Sequence, residues 1–178
     1  NPPGQCNLGY MYETGRGVEQ SWTEAVRWYS AAAKQGFPRA QCNLAWCYEN
    51  GEGVDLNLSR AAHWYGKAAE QGDPRGMFGL GYSYKKGRGV EQDLEKAIYW
   101  YQKAAEANYP PALCNIGLCY EQGEGVEQDI PKAAEFYRRA AERGDRIAAC
   151  NLGYLYETGS GVDQSWEDAA KWYLESAE

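Results

Sequence analysis

The chain has 178 residues, 44% of them hydrophobic, and a formal net charge of -7. With a pI near 4.9 it offers no basic stripe to neutralise phosphates, which excludes general nucleic-acid binding. No run of about 18 apolar residues is present to cross a bilayer, so no membrane insertion is expected of this segment.

The first helix-like stretch carries Leu8, Gly9 and Tyr12, an i, i+1, i+4 face with a small residue where a second helix must come close. Gly15 follows, suited to a left-handed C-terminal cap, and Gly17 allows a second unusual backbone setting. Ser21 then stands as an N-cap and forms, with Glu24, a capping box. The second helix shows Ala25, Trp28, Tyr29 and Ala32, an i, i+3, i+4, i+7 stripe that reads as core. It ends near Gly36, and Pro38 opens the next helix.

That order returns every 36 residues: Gly15-x-Gly17-Val18 recurs as Gly51-x-Gly53-Val54, Gly87-x-Gly89-Val90, Gly123-x-Gly125-Val126 and Gly159-x-Gly161-Val162. Aligned on Leu8, the units run 5–40, 41–76, 77–112, 113–148 and 149–178, the last one short. Asn57, Asp93, Asp129 and Ser165 repeat the N-cap of Ser21. The opening "NPPGQCNLG" matches the internal "YPPALCNIG", so the chain is expected to be one repeat array cut from a longer protein. Uncovered repeat ends would favour self-association.

A glycine pair before a helix can also cradle a phosphate. Here no strand precedes it, and Gln20 stands where a dinucleotide fingerprint needs its third glycine, so the loop reads as a structural turn and no cofactor is expected. Cys6, Cys42, Cys114 and Cys150 share one column of the repeat, Cys47 and Cys119 another. Equivalent residues on stacked helices lie roughly 8 to 10 Å apart, beyond the reach of a disulfide. Cys42 and Cys47 also miss the i, i+4 spacing of a metal pair on a helix, so no metal site is expected. The six thiols read as reduced, mostly small core fillers, which favours a reducing cytoplasmic compartment. The lone His63 lies beside Trp64 on a second-helix face without a cleft, and no nucleophile elbow or paired Cys–His signature is present. No enzyme is expected.

The pattern L-G-x-x-Y-x-x-G-x-G-V followed by A-x-x-W-Y-x-x-A-A resembles the Sel-1-like repeat, a relative of the tetratricopeptide repeat with a longer loop. The resemblance implies an all-α fold, an α-solenoid of stacked antiparallel helix pairs in a right-handed superhelix. First (A) helices would line the concave side and second (B) helices the outside. It also implies an adaptor that assembles protein complexes. One branch of that family is cysteine-rich, secreted and penicillin-binding or β-lactamase-like. Its cysteine pair ties helix B to the next helix A, whereas Ala33, Ala69, Ala105 and Ala141 occupy the corresponding helix B places here. A purely architectural or self-associating segment is the third reading.

A binding surface is sought on the A-helix face away from the core stripe. One column reads Asn7, Asn43, Gly79, Asn115 and Asn151, either an amide ladder for a peptide backbone or packing between repeats. A second reads Tyr10, Trp46, Tyr82, Leu118 and Tyr154, rings for an apolar anchor or for inter-helix packing. Glu13, Glu49, Glu121 and Glu157 suggest an acidic rim. In the third unit Lys85 and Lys86, with Arg39 and Arg75 entering from the preceding turns, make a cationic spot for a carboxylate or a merely solvated cluster. The expected partner is a protein or peptide lying in the groove across Asn43, Trp46 and Asn50, then Arg75, Tyr82, Lys85 and Lys86, then Asn115 and Gln122.

Overall fold

The computed structural model describes residues 1–177, and among them there are ten α-helices and no strand. They are α1 (Pro2–Thr14), α2 (Trp22–Ala33), α3 (Pro38–Asn50), α4 (Leu58–Ala69), α5 (Pro74–Lys86), α6 (Leu94–Glu106), α7 (Pro110–Gln122), α8 (Ile130–Ala141), α9 (Arg146–Thr158) and α10 (Trp166–Ala177). Odd-numbered helices are the A helices and even-numbered ones the B helices. Two compact units form, Asn1–Asp93 and Leu94–Glu178. In the first, α1 packs on α2 and α3 on α4, while α2 on α3 and α4 on α5 join successive pairs. In the second, α6 packs on α7, α7 on α8, α8 on α9 and α9 on α10. The expected all-α class of consecutive packed helix pairs holds.

Each helix ends for a local reason. Gly15 closes α1 in the left-handed region, φ 70°, and its N–H donates to the Met11 carbonyl. Ser21, Asn57, Asp129 and Ser165 accept the backbone N–H three residues on, at 3.3, 2.9, 2.9 and 3.1 Å. The capping box is only half made: the Ser21 N–H donates to the Tyr12 carbonyl at 2.9 Å, and the Glu24 carboxylate turns outward to Arg27. That backbone bond closes the loop in every repeat, through Asn57 to Tyr48, Asp93 to Tyr84, Asp129 to Tyr120 and Ser165 to Tyr156.

Gln20, which the sequence marks only as a missing glycine, has a positive role. Its amide donates to the Glu13 carbonyl at 2.8 Å, capping the last turn of α1. Gln92, Gln128 and Gln164 repeat the bond to Lys85, Glu121 and Glu157. The second repeat has Leu56 there instead, 62% exposed. The second glycine of each loop is required by proximity as well as by its backbone angle. A Cβ on Gly53 would stand 2.4 Å from the Trp22 carbonyl oxygen, and one on Gly89 2.1 Å from that of Leu58, so each loop after the first seats on the start of the preceding B helix.

Between paired helices the decisive residue is a B-helix tyrosine. Tyr29 is fully buried with its ring against Gly9, where a Cβ would lie 2.7 Å from ring carbons. Gly117 and Gly153 receive Tyr137 and Tyr173 in the same way. In the second repeat the glycine is Ala45, and the ring of Tyr65, whose hydroxyl still reaches Glu49 of its own A helix, lies against the next A helix, where a Cβ on Gly79 would sit 2.6 Å from it. This explains why Gly79 interrupts the asparagine column: the methyl of Ala45 occupies the ring's usual space, and the loss of a side chain at 79 supplies it again.

Two stability outcomes follow. Gly79→Asn should cost about 1–3 kcal/mol by overpacking, and Ala45→Gly in the same chain should recover part of it. A double-mutant cycle by urea denaturation would read a coupling of about 1 kcal/mol, and additive losses would refute the pairing. Leu56→Gln should stabilise by about 0.5–1 kcal/mol through the restored cap on the Glu49 carbonyl, seen as a higher urea midpoint at unchanged slope.

Candidate protein-binding surface

Once the core contacts are met, each A helix leaves one stripe at i, i+4, i+7 and i+11 exposed or half-buried. In the first unit these are Asn7 and Tyr10 on α1, Arg39, Asn43, Trp46 and Asn50 on α3, and Arg75, Gly79, Tyr82 and Lys86 on α5. In the second they are Asn115, Leu118 and Gln122 on α7, and Ile147, Asn151, Tyr154 and Thr158 on α9. Thirteen of the fourteen residues singled out from the sequence lie on these stripes. Lys85 does not: it occupies the column of Glu13, turns toward the interior and is 8% exposed, so it is no part of a surface cationic spot.

The acidic rim is also corrected. The Tyr29 hydroxyl donates to Glu13, Tyr65 to Glu49 at 2.9 Å, and Tyr137 to Glu121 and Tyr173 to Glu157 at 2.5 Å. All four glutamates are half-buried acceptors inside their own repeats, and Glu49 also takes Arg88 at 3.0 Å. The signal was available, since each glutamate precedes its tyrosine by 16 residues.

The amides are partly committed. Asn115 donates to the Pro111 carbonyl and Asn50 to that of Trp46, both at 2.9 Å. Asn43 lies 3.9 Å from the Cys6 sulfur. Among the rings, Tyr10 and Tyr82 already carry a guanidinium, Arg16 at 5.7 Å and Arg88 at 5.8 Å. Trp46 stacks one side on Trp22, centroids 5.5 Å apart, and remains 42% exposed; Tyr154 is 54% exposed. Arg75 is held by Asp73 at 3.6 Å. Arg39 and Lys86 make no ion pair or hydrogen bond among the described residues.

The thiols are unpaired, five buried and Cys150 exposed. The Cys42 thiol donates to Asp73 at 3.4 Å. Burial pushes Cys47 and Cys114 up to about 12 and raises Cys6 and Cys42 as well, which keeps them protonated and poorly nucleophilic. His63 is exposed on α4, edge-on to Trp64 at 5.4 Å. Among the described residues no group of three or more His, Cys, Asp or Glu is placed to hold a metal ion, and no helix is long and apolar enough to cross a membrane.

The family model "Sel1 repeat" matches residues 2–37, 38–73, 74–109, 110–145 and 146–178, a frame three residues ahead of one set on Leu8. A Sel1 repeat protein from Oxalobacter formigenes is 40% identical, with a TM-score of 0.95 over 99% of this chain and 72% of that one. The protein c5321, a protective antigen present in uropathogenic Escherichia coli strains, is 36% identical with a TM-score of 0.91, over 99% of this chain and 38% of its own. Cysteine-rich protein B of Helicobacter pylori shares the fold, at 24% identity and a TM-score of 0.57, over 75% of this chain and 96% of that one. No curated protein matches the sequence.

The buried hydroxyls and thiols make stability fall in alkali. Burial, then the bond to Glu13, raises the Tyr29 hydroxyl above its usual value; burial and Glu121 do the same for Tyr137. The unfolded chain therefore loses protons from about pH 9 (thiols) and 10 (tyrosines) that the folded chain keeps, so the contribution is whole below those values and shrinks as pH rises through them. Urea denaturation should give a lower unfolding free energy at pH 10.5 than at pH 8, with a smaller drop in Tyr29→Phe. An equal drop in the variant would count against a protonated, buried Tyr29.

Proposed function

Because the chain belongs to the Sel1 repeat family, whose fold commonly mediates protein–protein contact, we propose that it is a non-catalytic adaptor gripping an extended partner segment along the exposed A-helix stripes. Proteins of this family are generally non-catalytic scaffolds. The observation that carries the proposal is Trp46: packing leaves one face of a large ring in solvent, between Asn43 and Asn50, on a helix whose other side is core. A ring held rigid from behind offers contact area with little entropy left to lose, which is how interface anchors act. Tyr154 holds the same place on α9 of the second unit. Several B-helix cations, by contrast, are already engaged, Arg27 by Glu24 at 3.2 Å, Lys67 by Glu70 at 3.1 Å and Arg138 by the Tyr156 hydroxyl at 2.7 Å, and leave less for a partner to complete.

Peptides selected from a random display library against the whole chain should lose affinity when Trp46→Ala is introduced, by about 2 kcal/mol, and keep it in His63→Ala on the B face. Calorimetry reads both, after circular dichroism shows each variant folded. Peptides that tolerate Trp46→Ala and Tyr154→Ala but are lost with B-helix changes would place the site on the other face.

A further inference from the structure

The two units differ sharply in charge. Asn1–Asp93 holds ten basic and ten acidic residues, whereas Leu94–Glu178 holds eight basic and fifteen acidic, so the whole net charge of -7 belongs to the second unit. Within the first unit the neutral balance is not spread evenly. Glu13 and Glu49 are taken up by tyrosine hydroxyls, and Asp73 caps α5 while holding Arg75 and Cys42. On the A-helix stripe this leaves Arg39 and Lys86 exposed and uncompensated, beside the half-exposed Trp46. The stripes of the second unit carry no charged residue at all: Pro111, Asn115, Leu118 and Gln122 on α7, Ile147, Asn151, Tyr154 and Thr158 on α9.

Resting on the adaptor reading, we infer that the first unit selects an acidic segment with one bulky apolar anchor, the anchor seated on the Trp22–Trp46 stack and a carboxylate facing Arg39, while Lys86 adds to the positive charge of the stripe. Charge complementarity chooses the class of occupant, since an uncompensated guanidinium beside an apolar platform favours a carboxylate and repels a basic segment. The helix sets the spacing. Positions 39 and 46 lie on one face about 10 Å apart along α3 at ~1.5 Å per residue, which an extended chain spans in about three residues at ~3.3 Å each. A carboxylate three residues before the anchor therefore fits, with the anchor buried and the charge at the rim.

The test uses the whole chain and three labelled peptides flanked by Gly-Ser: Glu-Glu-Ser-Ser-Phe-Ser, its lysine counterpart Lys-Lys-Ser-Ser-Phe-Ser, and the anchorless Glu-Glu-Ser-Ser-Ser-Ser. Fluorescence anisotropy should show the first binding at least about tenfold tighter than either control at low salt, and weakening as salt rises. Arg39→Glu should remove most of its advantage over the lysine peptide, and Trp46→Ala most of its advantage over the anchorless one. Equal binding of the acidic and lysine peptides, no binding of any, or indifference to Arg39→Glu would overturn the charge selectivity. If display-selected peptides still depend on Trp46 in that case, the adaptor reading stands and only this inference fails. If they do not, both fail.

Discussion

A tyrosine hydroxyl, buried or half-buried and bonded to a glutamate 16 residues earlier, is the contact on which four of the five helix pairs close, made by Tyr29, Tyr65, Tyr137 and Tyr173. Burying the ring is favourable only if its oxygen finds a partner, since a stranded hydroxyl costs about 1–3 kcal/mol. The partner is placed one turn beyond the glycine that admits the ring, so Gly9, Glu13 and Tyr29 act as one device. The third repeat departs from it. Lys85 stands in the glutamate's place and is buried, and an ammonium carries donors only. There the repeat sequence is least regular, and the boundary between the two compact units falls within it, after Asp93.

The helices, their caps and the glycine loop were legible because each depends on residues close in sequence. The αL glycines at 15, 51, 87, 123 and 159 and the N-caps Ser21, Asn57, Asp129 and Ser165 stand where periodicity puts them. The glutamate column was misread because a helical wheel scores direction, not reach. Glu13 projects toward the edge of its helix, but a tyrosine is long enough to bring its hydroxyl there. Lys85 was misread for the same reason, since its column is half-buried in the other four repeats and buried at Lys85 itself. The exchange between Ala45 and Gly79 was invisible for a different reason: it crosses from one repeat to the next, and a column-by-column reading treats each departure as independent.

The stripe's character is partly a by-product of these internal demands. Acidic side chains placed on A helices are drawn into the hairpins by the tyrosines, while basic ones at 39 and 86 have no such acceptor waiting. A protein acidic as a whole can in this way present locally positive ground without any excess of lysine and arginine in that unit. The aromatic positions show the same selection. Tyr10 and Tyr82 are covered by arginines of their own loops, whereas Glu52 stands at the corresponding loop position of the second repeat and Trp46 keeps a face open.

The seating of each loop on the preceding B helix also bears on how such a chain grows. Part of the tie to the predecessor is main-chain proximity at a glycine, as Gly53 to Trp22 and Gly89 to Leu58 show, and part is made by side chains, as Trp46 on Trp22, Arg88 on Glu49 and Gly79 under Tyr65 show. The part that reads backbone is indifferent to whether tryptophan, leucine or isoleucine lies beneath it, and the part made by side chains is not. Duplication or loss of one 36-residue cassette therefore leaves a seam whose loop can seat on its new neighbour, except between the second and third repeats, where Ala45 and Gly79 are matched to one another and move only as a pair.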